Sequence, residues 1–217
     1  LVGSEMCIRD RSSMHPLYNP DLDYSVYLSQ SFFYVLFQIL ILLMTVYAVG
    51  SELKFHTAQE WMTTARGNIL TAIVGKLLPY TFIFSIIGIL ANYVLYGVLH
   101  IPFQGSLLMM NLMTVLFIIA TQALAVFIFS IFPRIAYIIS IVSMVGSLGA
   151  TLSGVTFPVT SMYPPVHAAS YLFPVRHFTE IAQSMLYFDS GFGYYWQSTA
   201  ILLLFPLLAL LILCLLY

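Results

Sequence analysis

Long apolar stretches free of charge recur along this chain, and such stretches leave few structural options. A bilayer's hydrocarbon core is about 30 Å thick and takes about 20 apolar residues of helix to cross. Inside it, every backbone amide and carbonyl must find its partner within the protein, which selects helices or closed barrels. Five stretches have the length, and spans are expected at residues 31–49, 77–99, 107–132, 135–157 and 195–217. The composition agrees: 61% of residues are hydrophobic and 7% charged, against roughly 25% charged in a soluble domain. Seven Lys and Arg with eight Asp and Glu are too few to solvate a globule of 217 residues. The expected fold is all-α, a polytopic transmembrane helical bundle of about five spanning helices. The lipid bilayer is therefore its first partner.

The net charge of −1, with no basic block, gives nucleic acid nothing to hold. Cys7 and Cys214 stand at opposite ends and build neither a disulfide framework nor a metal site. The ends themselves read differently from the middle. Residues 1–11 hold Glu5, Arg9, Asp10 and Arg11, show no helical or strand period, and resemble translated sequencing-adapter read-through. Residues 1–12 are expected to be non-native, residues 13–30 an extracytoplasmic lead-in, and residues 31–217 the membrane domain of a fragment. The terminal Cys-Leu-Leu-Tyr is open to two readings, native or of the same foreign origin. No signal peptide is legible, because no apolar core follows the basic residues before Ser31.

Orientation follows from basic residues near the span ends. Lys54, Arg66, Lys76 and Arg134 fall in one set of loops, and Arg176 in the other once Arg9 and Arg11 are discounted. Residues 50–76 are thus expected in the cytoplasm and the N-terminal segment outside.

Two polar stretches carry helical signals. Thr57-Ala58-Gln59-Glu60 has the spacing of a capping box, Thr hydroxyl to Glu60 amide and Glu carboxylate back to Thr57 amide. Ala58, Trp61, Met62 and Ala65 then form one apolar face, and Gly67 ends a short helix built to lie flat against lipid or protein. On the other side, Pro158 and Pro164-Pro165 interrupt the chain. After Pro174, residues Phe178, Ile181, Ala182, Met185 and Leu186 share a face opposite Arg176, His177, Glu180 and Gln183. That pattern predicts an extracytoplasmic interfacial helix or a re-entrant pair, with Tyr187, Tyr194, Tyr195 and Trp196 as headgroup anchors.

Several chemistries lack their residues. Gly67, Gly75 and Lys76 echo a phosphate loop, but the spacing is wrong and no Ser or Thr follows the lysine. Lys76 is expected to be an interfacial flank, and the chain to hydrolyse no ATP. His56 and Glu60 stand four apart without a third metal donor, and His167 and His177 are assigned packing or interfacial roles. Every Asp and Glu lies outside the expected spans, which removes intramembrane proteolysis and charged ion relays. Within the spans, Gln38, Asn92, Asn111 and Gln122 are expected to hydrogen-bond helix to helix, with lining of a substrate path as the alternative. Gly146, Ala150 and Gly154 repeat every four residues and permit close helix approach, either within the chain or at a dimer seam.

The order of these parts resembles a known family. Gly50-Ser51-Glu52-Leu53-Lys54-Phe55-His56-Thr57-Ala58-Gln59-Glu60-Trp61 is followed by Ile73-Val74-Gly75-Lys76-Leu77-Leu78-Pro79-Tyr80. Leu152-Ser153-Gly154-Val155-Thr156-Phe157-Pro158 and Ser170-Tyr171-Leu172-Phe173-Pro174 come later, and Tyr18-Asn19-Pro20 precedes the first span. This resembles the permease subunit of type-2 ABC transporters, the exporter class, over about residues 15–213. Those permeases carry a similar E-x-G-T-x-E-x-L segment, and His56 stands where they usually have Gly. The resemblance implies a multi-pass protein of the bacterial inner membrane, an exporter half that pairs with a second permease copy and with a separate cytoplasmic ABC ATPase. ATP and Mg would sit on that partner, with no cofactor and no catalytic residue in this chain. It further implies that residues 52–66 form the coupling helix that docks on the ATPase. Glu52, Thr57 and Glu60 would stand at the matching positions, with Trp61, Met62 and Arg66 beside them. The outer helix bearing Phe178, Glu180, Ile181 and Met185 would lie at the substrate exit. A membrane scaffold or assembly factor is the alternative, and a membrane-embedded enzyme a more distant one.

Overall fold

A computed structural model describes residues 24–99, 101, 103, 105–132, 134–155, 161–187 and 193–216. Outside them lie the first twelve residues, Tyr18-Asn19-Pro20, most of the expected lead-in, the 156–157 end of the fourth expected span with Pro158, and Tyr217. Among the described residues every regular element is helical: α1 (Tyr24–Lys54), α2 (Ala58–Thr64), α3 (Ile69–Asn92), α4 (Leu107–Ile131), α5 (Ile135–Leu152), α6 (Pro164–Ser170), α7 (Pro174–Tyr187) and α8 (Trp196–Leu216). The end of α3 widens into a π-helical stretch, Tyr93–Val98. Four helices, Gln30–Lys54, Ile69–Val98, Leu107–Ile131 and Ile135–Leu152, are long and apolar enough to cross a membrane. The fifth expected span is the helix α8, whose described side chains, Trp196–Leu211, are also apolar.

The boundaries depart from the apolar count in three helices. First, α1 departs at both ends, starting at Tyr24, before the expected 31, and running on through Glu52 to Lys54. Second, α3 starts eight residues before the expected 77. Asn68 caps it, its Oδ1 accepting from the amides of Leu70 (3.0 Å) and Thr71 (3.4 Å). Third, α5 stops at Leu152, five residues short of the expected 157, because Gly154 adopts φ 86°, a left-handed conformation that ends a helix. Gly154 is therefore the stop signal and not the third member of a packing stripe.

α1 and α4 form the centre, with α5 along α1 and α3 and α8 along α4. The α1–α5 approach is close because Gly146 has no side chain. A Cβ there would lie 2.8 Å from Ile39 Cγ1. Ala150 packs nearby against the main core, so the small residues of α5 are used within this chain. Two core clusters run along the α1–α4 seam, one around Tyr34, Phe117 and Phe178, the other around Leu42, Phe129 and Ile138.

The helix after Pro174 is amphipathic as its period predicts, but it does not lie on the surface. Phe178 and Ile181 are fully buried and Met185 nearly so. Phe178 stacks on Phe117 at 4.5 Å and meets Tyr34 edge-on, also at 4.5 Å. Arg176 and His177, on the other face, are buried as well. α7 is thus packed into the bundle more deeply than a helix lying on its surface, whereas α6, exposed at Pro164, Pro165, Val166 and Ala168, stays at the edge beside α5. The reason lies in α1, α4, α5 and α8, which all contact α7 and bury its apolar face together with Arg176 and His177, leaving Glu180 exposed.

The polar residues inside the spans join helices, as their isolation in apolar sequence requires. Gln38 Oε1 accepts from the Val175 amide at 2.8 Å, tying α1 to the first turn of α7. Asn92 receives the Tyr34 hydroxyl and donates to Asn111 (2.8 Å) and Thr114 (3.0 Å). Gln122 accepts from the Thr81 hydroxyl at 2.7 Å. Each such bond holds a group that lipid could not satisfy.

Candidate functional site

The end of the bundle that carries Lys54, Arg66, Lys76 and Arg134 holds a compact elbow between α1 and α3. α1 finishes with Phe55 N–H on Ser51 O at 3.0 Å, and the chain then turns at His56, whose φ is 58°. That angle is in the left-handed region that favours glycine. The next residue, Thr57, donates its amide to Glu52 O at 3.0 Å, and α2 begins at once.

Because of this turn, Thr57 faces the end of α1 and not the first turn of α2. The capping box does not form: Thr57 makes no side-chain bond to α2. Its hydroxyl donates to Glu52 Oε2 instead. Glu52 is ionised and presents two acceptor oxygens, which make it a stronger partner than a neutral amide. Its other oxygen, Oε1, pairs with Lys76 Nζ. Glu52 is therefore a residue of the last turn of α1, not of the amphipathic helix in which residues 52–66 were grouped. Lys76 sits two turns inside α3, with its ammonium 5.6 Å from the centre of the Trp61 ring. The two charged side chains are only 18% and 20% exposed.

α2 divides cleanly. Ala58, Trp61, Met62 and Ala65 are half-buried, and Trp61 packs on the cluster of Leu42, Ile73 and Leu77. Gln59, Glu60, Thr63 and Thr64 are exposed, as is Arg66 just beyond. The apolar face thus serves the bundle, and what α2 offers outward is polar. Its end is sharper than one glycine implies. Arg66 takes φ 54° and Gly67 φ 74°, with Arg66 N–H on Thr63 O (3.0 Å) and Gly67 N–H on Met62 O (2.9 Å). These two bonds make a Schellman closure in which Arg66 holds the left-handed position.

Of the residues singled out in the sequence, the elbow brings together Glu52, Thr57 and Trp61 directly, with Met62 beside Trp61 on the inner face. It leaves Glu60 and Arg66 on the outer one. Sequence reasoning missed Lys76 and Asn68. The Asn before an apolar run was a legible cap signal, but nothing local pairs Lys76 with a residue 24 positions away.

At the opposite end, Phe178, Ile181 and Met185 belong to the core, while Glu180 is exposed and accepts from Ser198 at 2.9 Å. His177 Nε2 lies 3.1 Å from Tyr171 O, and burial holds the His177 imidazole below its usual pKa, with the Arg176 charge adding to the same direction. A groove of about 470 Å³ between α3, α4 and α8 is apolar apart from Thr81, Ser85 and Gln122. Among the described residues no group of three His, Cys, Asp or Glu could hold a metal ion.

Comparison with known proteins gives a consistent result. Residues 11–215 match the profile described as ABC-2 family transporter protein. The protein described as probable multidrug ABC transporter permease YbhS of Escherichia coli K12 is 27% identical over 154 residues, 66% of this chain and 40% of the relative. Probable multidrug ABC transporter permease YbhR of the same organism is 24% identical over 210 residues, 96% of this chain and 53% of the relative. The chain therefore spans about half, or less, of the length of these curated relatives. No solved structure matches it at comparable stringency.

Proposed function

Because this chain is a multi-pass membrane protein that belongs to the ABC-2 family of transporter proteins, we propose that it forms the membrane domain of an exporter permease energised by a separate ATP-binding subunit. The observation that carries this reading is α2, a short helix held at the mouth of the bundle with an exposed polar face of Gln59, Glu60, Thr63 and Thr64. The ATPase docks on that face. Trp61 and Met62 act from behind by fixing the helix against the bundle.

The basic residues support the orientation. Lys54 ends α1, Arg66 ends α2, Lys76 lies near the start of α3 and Arg134 caps the start of α5. Positive charge concentrated at one end of a bundle favours a cytoplasmic position for that end, and on this reading the membrane is the bacterial inner membrane. ATP and Mg belong to the partner. The chain's own residues contribute no bond-making step, only a change of shape, which requires that the ATPase contact α2 differently in its two states. A second permease copy completes the transporter. For cargo, the relatives' description as multidrug permeases extends to this chain as small organic compounds, and spans without charge suit molecules of low charge.

Co-purification tests the reading. Glu60→Arg, on the exposed face, should reduce recovery of the ATPase encoded with this permease, while Gln38→Glu, deep in the bundle, should act on folding and not on docking. Undiminished recovery with Glu60→Arg and Thr63→Arg combined would remove α2 as the docking element.

A further inference from the structure

We propose that the Glu52–Lys76 ion pair is a positioning clasp that yokes α2 to the ends of both α1 and α3, so that a push on α2 displaces the two spans together. The clasp rests on geometry alone; its use in transport rests on the docking role given to α2 above.

α2 has seven residues, well short of the length at which a helix is stable by itself in water. No side chain caps its first turn, and none of its residues is fully buried. Its position must come from tertiary ties: beside the packing of Trp61 on the bundle, the polar ties converge on one carboxylate. Glu52 Oε2 takes the Thr57 hydroxyl at the entrance to α2, and Oε1 takes Lys76 from α3. Lys76 in turn lies over Trp61, the largest side chain of α2. Three elements therefore meet at a single ion pair, the only salt bridge among the described residues. Removing either charge leaves the other half-buried and unpaired at the edge of apolar helices, where that is costly.

The displacement has somewhere to go. Just before Glu52, the α1 backbone at Gly50 is so close to α5 that a Cβ would lie 2.7 Å from Ile135 Cγ1. Movement of the α1 end is passed by contact to the start of α5, and movement of α3 follows through Lys76. Glu52 and Lys76 are positioning residues, since neither is assigned to the face that meets the ATPase.

The clasp can be read without any partner. With Cys7 and Cys214 replaced by Ser, a nitroxide on Thr63→Cys reports the mobility of α2 in the full chain in lipid nanodiscs. The label should show an immobilised spectral component that is lost in Glu52→Gln and in Lys76→Met and regained in the charge swap Glu52→Lys with Lys76→Glu. Circular dichroism confirms that each variant keeps its helix content. If Lys76→Met does not fold, the isosteric Glu52→Gln decides alone. Immobilisation that persists in Glu52→Gln overturns the clasp, and so does loosening that the swap fails to reverse. In the assembled transporter, Glu52→Gln should keep its bound ATPase but lose transport-coupled ATP hydrolysis, a split between binding and coupling that simple loss of folding would not produce. Normal coupling in that variant overturns the proposal. Failure of the wild-type chain to bind the ATPase defeats the docking role instead and leaves the spectroscopic result standing.

Discussion

Phe178→Ala separates a helix folded into the bundle from one lying on its surface. The ring is 0% exposed, stacked on Phe117 at 4.5 Å and touched edge-on by Tyr34 at 4.5 Å. Truncating a buried Phe to Ala costs about 3–5 kcal/mol when the surroundings cannot collapse. Two aromatic pairs, at about 0.5–1.5 kcal/mol each, place this site in the upper part of that range. A loss of about 4–5 kcal/mol is expected. At about 2–4 °C per kcal/mol for a chain of this size, the unfolding midpoint should fall by about 10 °C or more. Phe178→Leu keeps most of the volume and loses the ring pairs, so it should cost about 1–2 kcal/mol. Leu172→Ala, at a site 68% exposed in the preceding turn, should shift the midpoint by little. Scanning fluorimetry of the detergent-solubilised protein measures all three. A shift for Phe178→Ala no larger than that for Leu172→Ala would refute the burial of α7 and restore the interfacial helix.

Three further outcomes follow from particular contacts. His56→Gly should stabilise the elbow by up to about 1 kcal/mol, because the left-handed φ of 58° strains any residue with a Cβ. Slower proteolysis after Lys54 and Arg66 would register the gain, and faster proteolysis would contradict it. Gly146→Val should cost about 1–3 kcal/mol by driving a side chain into Ile39, where a Cβ already lies 2.8 Å from Cγ1. Disulfide cross-linking between α1 and α5 should weaken in that variant, and unchanged cross-linking would argue against the close approach. His177 titrates below its free value because burial disfavours the imidazolium. Its contribution to stability is present above pH about 6.5 and is lost as pH falls from there toward its lowered folded pKa. The unfolding midpoint should drop on acidification below that pH. His177→Gln should flatten the drop, and an equally steep profile in the variant would show that another group is responsible.

Much of the architecture is legible from hydropathy because lipid imposes a simple rule, and α4 illustrates it: expected at residues 107–132, it occupies Leu107–Ile131. The misplacements occur where a local signal outranked the apolar count. Asn68 starts α3 well before its uncharged stretch, and Gly154 ends α5 before the apolar residues run out. At the elbow, spacing located the seven-residue helix and its two faces, but the capping box failed because His56 turns Thr57 toward Glu52. The Gly expected at position 56 from the family pattern and the left-handed backbone found there are one fact seen twice.

What the sequence by itself determined is how many apolar helices the chain makes and which side of each short helix is greasy, since both follow from local periodicity and from the demand that lipid places on the backbone. It did not determine what each greasy side meets. Phe178 on core aromatics, Trp61 under Lys76, and Lys76 on Glu52 are pairings between residues far apart in the chain. Only the tertiary structure decided them, because a helical period is the same whether its apolar face touches lipid or another helix, and a charge acquires its partner only when the helices are packed.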